Sequence, residues 1–105
     1  MKPASPGTAT LLRRLGLPTD RMPPTPGEIL NEEFRKPLGL TQEQLAERLH
    51  TTVQSVNRII RGKQAISPEM AIKLSEAFGT TAHLWLALQA DHDLARAASR
   101  TYVER

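Results

Sequence analysis

From Thr25 onward the chain repeats one local grammar: a hydroxyl-bearing residue, then proline or, three residues on, Glu or Gln, then apolar residues at helical spacing. This is how a helix start is written. The hydroxyl oxygen accepts from an unpaired backbone N–H, a proline at the first position sacrifices no hydrogen bond, and the Glu or Gln side chain returns to the cap. Thr25, Pro26 and Glu28 open a first helix with Leu30 and Phe34 on one face, and Pro37 with Gly39 ends it. Thr41 and Gln44 open a second helix of barely two turns, with Leu45, Ala46 and Leu49 apolar. Thr52 caps a third with Val56, Ile59 and Ile60 inward, and Gly62 sits where a left-handed C-cap is wanted. Ser67 and Pro68 open a fourth that runs to Phe78 and stops at Gly79; a fifth starts after Thr81 and runs through Trp85 towards Ala98. Alternation of period two is missing over any useful length, so the expected fold is all-α with five helices.

Composition sets the boundaries. The 105 residues suffice for one domain, and 39% hydrophobic with 24% charged residues allows a core, which four aromatics leave largely aliphatic. Six of eight prolines fall in the first 26 residues, which reads as a flexible arm over 1–24, where Leu11, Leu12 and Leu15 form at most a short amphipathic turn. The domain then spans 25–98 and a tail 99–105. With no cysteine there are no disulfides, thiolate zinc sites or Cys nucleophiles, which fits a reducing compartment, and the cytoplasm is the default. Apolar runs are far short of the 18 or so residues that cross a bilayer, and Met1 to Asp20 has no signal-peptide core, so no membrane partner is expected.

Charge is polarised along the chain. The net +3 comes from the arm, at +3, and the tail, at +1, while Thr25 to Ala98 holds −1. Inside that neutral domain Arg48, Arg58, Arg61 and Lys63 occupy a stretch with no acidic residue, whereas Glu28, Glu32 and Glu33 crowd the first helix. Two short helices joined by about three residues match a helix-turn-helix, whose second helix enters the major groove. The third helix has the side chains for it: Gln54 and Asn57 suit adenine's edge, Arg58 guanine, and Val53 a thymine methyl. A solvated surface helix more often mixes in Glu or Asp.

The segment from Leu40 to Leu49 (LTQEQLAERL) with Val53 to Lys63 (VQSVNRIIRGK) resembles the Xre and lambda-repressor type of helix-turn-helix. The flanks, Pro26-Gly27-Glu28-Ile29-Leu30, Ala65 to Ala71 (AISPEMA) and Leu84 to Gln89 (LWLALQ), are similar to the HigA (VapI-like) antitoxin subgroup. The resemblance implies a five-helix lambda-repressor-like DNA-binding domain, with Gln42 and Thr52 on phosphates, Val53, Gln54, Asn57 and Arg58 at base edges, and Arg61 and Lys63 on the backbone. Ser55 is placed with the phosphate contacts, solvent exposure being the alternative. The turn departs from the pattern, with His50 where relatives have glycine, which costs a left-handed conformation about 1 kcal/mol.

The same resemblance implies double-stranded operator DNA, a homodimer on inverted half-sites roughly 34 Å apart, and a cognate RelE-like ribonuclease toxin of the HigB type. Leu84, Trp85, Leu86 and Leu88 spread around more of the fifth helix than one core stripe needs, so Trp85, Leu86, Leu88 and Leu94 are the candidate dimer contacts. The alternative for Trp85 is a plug in the core. The docking face for the toxin stays open between the basic arm and the acidic first helix. No cofactor or metal is expected: His83, His92 and the Asp91-His92-Asp93 run are not spaced as a ligand set. No catalytic motif is present, so an enzyme is not expected. A free-standing Xre-family repressor without a toxin is the runner-up, and an interaction module that has lost DNA binding the third reading.

Overall fold

The computed structural model describes residues 23–103, with side chains through Ser99. The expected arm up to Met22, including the turn at Leu11 to Leu15, and the last two residues of the tail lie outside these. Among the described residues there is no strand, and five helices follow one another. The first begins as α1 (Pro26–Ile29) and continues without a break as a π-helical stretch, π1 (Leu30–Arg35); then come α2 (Gln42–Arg48), α3 (Val53–Ile60), α4 (Pro68–Phe78) and α5 (Ala82–Val103). The last helix passes the expected boundary at Ala98. No described helix is long and apolar enough to cross a membrane.

The caps form as their chemistry requires. Thr25 Oγ1 accepts from Glu28 N at 3.1 Å, Thr52 Oγ1 from Ser55 N at 3.1 Å and Ser67 Oγ from Met70 N at 3.1 Å. At Thr41 both halves of the capping box are made: Thr41 N donates to Gln44 Oε1 at 2.8 Å and Gln44 N to Thr41 Oγ1 at 3.1 Å. At Thr25 only the hydroxyl half is made. The π winding, which periodicity did not indicate, carries a bond across five residues from Lys36 N to Asn31 O at 3.0 Å. Arg35 secures its end, with Nε on Asn31 Oδ1 at 2.6 Å and Nη1 on Leu40 O at 3.0 Å, immediately before the Thr41 cap.

Residues 25–89 form one compact unit; residues 23–24 and 90–103 belong to a second. The core of the first unit joins Leu30, Leu45, Leu49, Val56, Ile59, Leu74 and Trp85, all essentially unexposed. Aliphatic side chains dominate, yet three of the four aromatics cluster: Phe34 lies 5.0 Å from Phe78 and 5.3 Å from Trp85 between ring centroids, both pairs tilted. Trp85 Nε1 donates to Thr80 Oγ1 at 2.7 Å, so burying the indole leaves no unpaired donor. This corrects the expectation that Trp85 is a dimer contact: at 0% exposure it is part of its own protomer's core. In the second unit Ala95 and Ala98 are buried and His92 Nδ1 lies 3.0 Å from Pro23 O.

Gly27 answers a packing need that its place in α1 does not reveal. A Cβ there would stand 1.8 Å from Ile59 O and 2.9 Å from Ile60 Cα. Only a residue without a side chain lets α1 lie directly on the C-terminal turn of α3.

Candidate nucleic-acid interface

The site is built on the two ends of a helix pair. The turn from α2 closes with His50 N donating to Glu47 O at 3.1 Å and Thr51 N to Ala46 O at 3.0 Å, and the end of α3 repeats the arrangement with Gly62 N on Ile59 O at 3.0 Å and Lys63 N on Arg58 O at 2.8 Å. Each is a Schellman closure, which needs a left-handed residue just past the C-cap. Gly62 supplies it at φ +73°, and His50, the departure noted in the sequence, is forced into it at φ +52°. Lys73 Nζ donates to His50 O at 3.1 Å, so α4 braces the turn.

On α3 so anchored, Val56 and Ile59 point into the core while Gln54 and Arg58 are exposed and Val53 and Asn57 half-buried. Gln42, from the first turn of α2, joins Val53, Gln54, Asn57 and Arg58 around one shallow open concavity. Its link to α3 is direct: Asn57 Nδ2 donates to Gln42 Oε1 at 3.1 Å. This turns Gln42 Oε1 towards α3 and leaves both hydrogens of its amide nitrogen for a phosphate oxygen. It leaves Asn57 with Oδ1 and one amide hydrogen, the acceptor and donor that adenine's N6 and N7 demand. Thr52 Oγ1 is engaged as an acceptor in the cap, and its exposed hydroxyl hydrogen remains to be donated. Arg61 and Lys63 are exposed one turn further on, and no acidic residue lies between Arg48 and Pro68 to oppose them.

Ser55 requires correction. It is 9% exposed, and its Oγ accepts from Gln64 Nε2 at 3.0 Å, so it faces the protein rather than a phosphate or solvent. Gln64, which sequence reasoning passed over, also accepts from Arg58 Nε at 3.1 Å through its Oε1. No helical spacing signals this, because Gln64 lies in the loop beyond α3. Of the other proposed dimer contacts, Leu86 and Leu88 are half-buried on the core, while Leu94 is 47% exposed and Leu84, from the same helix, 39%.

Fold, turn and polar face together define a helix-turn-helix DNA-binding domain, and comparison with known proteins agrees. The helix-turn-helix family profile matches residues 32–85, and the chain belongs to this family, in its Xre type, a non-enzymatic class of DNA-binding domain. Its relatives include HigA and VapI proteins beside other helix-turn-helix transcriptional regulators. The Vibrio cholerae antitoxin HigA-1 is 40% identical over 76 residues, covering 72% of this chain and 71% of that protein. The virulence-associated protein I of Dichelobacter nodosus is 42% identical over 69 residues, 66% of this chain; the match spans 64% of that protein, just under two thirds. Among solved structures, the Pseudomonas aeruginosa antitoxin HigA with the higBA promoter superposes with a TM-score of 0.69 at 40% identity, covering 71% of this chain and 82% of that one.

Proposed function

We propose that this chain is a HigA-type antitoxin that binds the operator of its own operon as a homodimer, through the major groove, and neutralises a RelE-like ribonuclease toxin. The observation that carries the DNA half is the face of α3. Gln54, Asn57 and Arg58 stand in one concavity with Gln42, free of acidic side chains, on a helix locked at both ends. The similarity to a HigA structure solved with its promoter supports the same reading. In it, Gln42, Thr52, Arg61 and Lys63 hold phosphates and set the register, while Val53, Gln54, Asn57 and Arg58 read bases. Leu84 and Leu94, large exposed apolar residues of α5, are the dimer contacts. Two copies are needed because one module makes too few contacts for tight specific binding. The toxin half rests on the HigA resemblance.

Fluorescence anisotropy with DNA from upstream of the gene tests the first half. Specific binding weakens steeply with salt, and Asn57→Ala or Gln54→Ala each cost about 1–3 kcal/mol of discrimination against altered sites. Sequence preference left intact in both variants would refute the base-reading assignment. Co-expression with the product of the neighbouring reading frame, followed by size-exclusion chromatography, tests the second half. Co-elution supports the antitoxin, and separate peaks leave a repressor without a toxin.

A further inference from the structure

Arg58 is not free to choose its partner. Its guanidinium carries only donors, so the oxygen of the Gln64 amide must face it, and the Gln64 nitrogen then needs an acceptor of its own. Ser55, buried on α3, provides that acceptor at 3.0 Å, while the Arg58 Nε to Gln64 Oε1 bond measures 3.1 Å. The amide is thus oriented from both ends. A guanidinium offers two paired edges: one made by Nε with an Nη, the other by the two Nη groups. With Nε engaged, only the terminal Nη1/Nη2 fork remains available as a pair, and Arg58 lines the concavity together with Gln54 and Asn57. That fork matches the O6 and N7 acceptors of guanine.

The geometry points to Gln64 as a specificity-determining positioning residue, which holds Arg58 to the end-on reading of one guanine per half-site and away from the neighbouring phosphates. This rests on the DNA-binding reading above. Gln64 itself touches no base; it acts by orienting Arg58 in advance, so that less side-chain freedom is lost on binding.

The test uses the full chain and promoter DNA in which each guanine is replaced singly by 7-deazaguanine, which lacks N7, or by inosine, which keeps O6 and N7. For the unmodified protein, 7-deazaguanine at one position per half-site lowers affinity roughly five-fold or more, and inosine there has little effect. Arg58→Ala abolishes that sensitivity. Gln64→Met, with folding verified by circular dichroism, retains non-specific affinity and the salt dependence, since the charge of Arg58 remains, yet its 7-deazaguanine sensitivity falls below about two-fold. Ser55→Ala shifts sensitivity the same way, and adding it to Gln64→Met changes nothing further, as expected for one relay. Gln64→Met or Ser55→Ala discriminating as the unmodified protein does would overturn the relay alone, as would Arg58→Ala keeping the 7-deazaguanine effect. Absence of any specific binding by the unmodified protein would overturn the DNA-binding reading and the relay with it.

Discussion

Replacing Gly27 by alanine tests whether close contact between α1 and the end of α3 holds this domain together. The added methyl would lie 1.8 Å from Ile59 O, 2.6 Å from Ile59 C and 2.9 Å from Ile60 Cα, and side-chain carbons essentially never approach within 3.0 Å. The helices must therefore separate by at least 1.2 Å along that contact. All three obstructing atoms are backbone, so no rotamer change relieves the clash. Ile59 O is also the acceptor for Gly62 N, so the Schellman closure of α3 is strained as well. Overpacking costs about 1–3 kcal/mol where side chains can give way; here the upper end applies, about 3 kcal/mol, less up to about 1 kcal/mol that alanine regains by restricting the unfolded chain. A net loss of about 2 kcal/mol or more lowers the melting temperature of a domain this size by roughly 10 °C or more. Thermal unfolding followed by circular dichroism at 222 nm reads this directly. Gly39→Ala is the control: nothing lies within 4 Å of its Cβ, and at φ +68° it bears only left-handed strain, costing about 1 kcal/mol. A Gly27→Ala midpoint equal to or above that of Gly39→Ala would show that the close approach is not what this position serves.

The remaining predictions concern the turn, the cap and the dimer. His50→Gly relieves a left-handed histidine and stabilises the protein by about 0.5–1 kcal/mol in urea unfolding, and an unchanged midpoint would count against strain at φ +52°. Thr52→Ala removes the cap of α3, costing about 1 kcal/mol of stability, and lowers the salt slope of DNA binding by about one phosphate contact, whereas Thr52→Ser retains both. Loss of stability with an unaltered salt slope would make Thr52 a cap only. Leu84→Asp with Leu94→Asp shifts the protein to monomer in sedimentation while leaving its melting temperature within a few degrees, since both side chains are exposed; a persisting dimer would move the interface elsewhere.

What could be read ahead of the structure was local. Thr25, Thr41, Thr52 and Ser67 each bond to an N–H three residues on, so four helix starts were legible. The spacing of Val56 and Ile59 likewise gave the inner face of α3, and with it the outward placement of Gln54 and Arg58. Residues whose role depends on a partner outside their own helix were misread or missed. Trp85 is ambiguous in the sequence between a dimer contact and a core plug because Leu84, Leu86 and Leu88 surround it, and the side chains that enclose it, Phe34 among them, come from distant segments. Ser55 looked available because its acceptor role is filled from beyond the end of the helix.

Hydrogen bonds and apolar repeats within one turn of helix depend only on neighbours along the chain, and so the five helices, their order and the acid-free face of α3 were determined by the order of amino acids. Tertiary packing decided the rest: the bond from Asn57 to Gln42 across 15 residues, the relay through Gln64 to Arg58, and the bare backbone of Gly27 against Ile59. The reason is that each of these joins segments whose distance is set by the burial of other residues altogether, so no pattern within either segment carries a record of it.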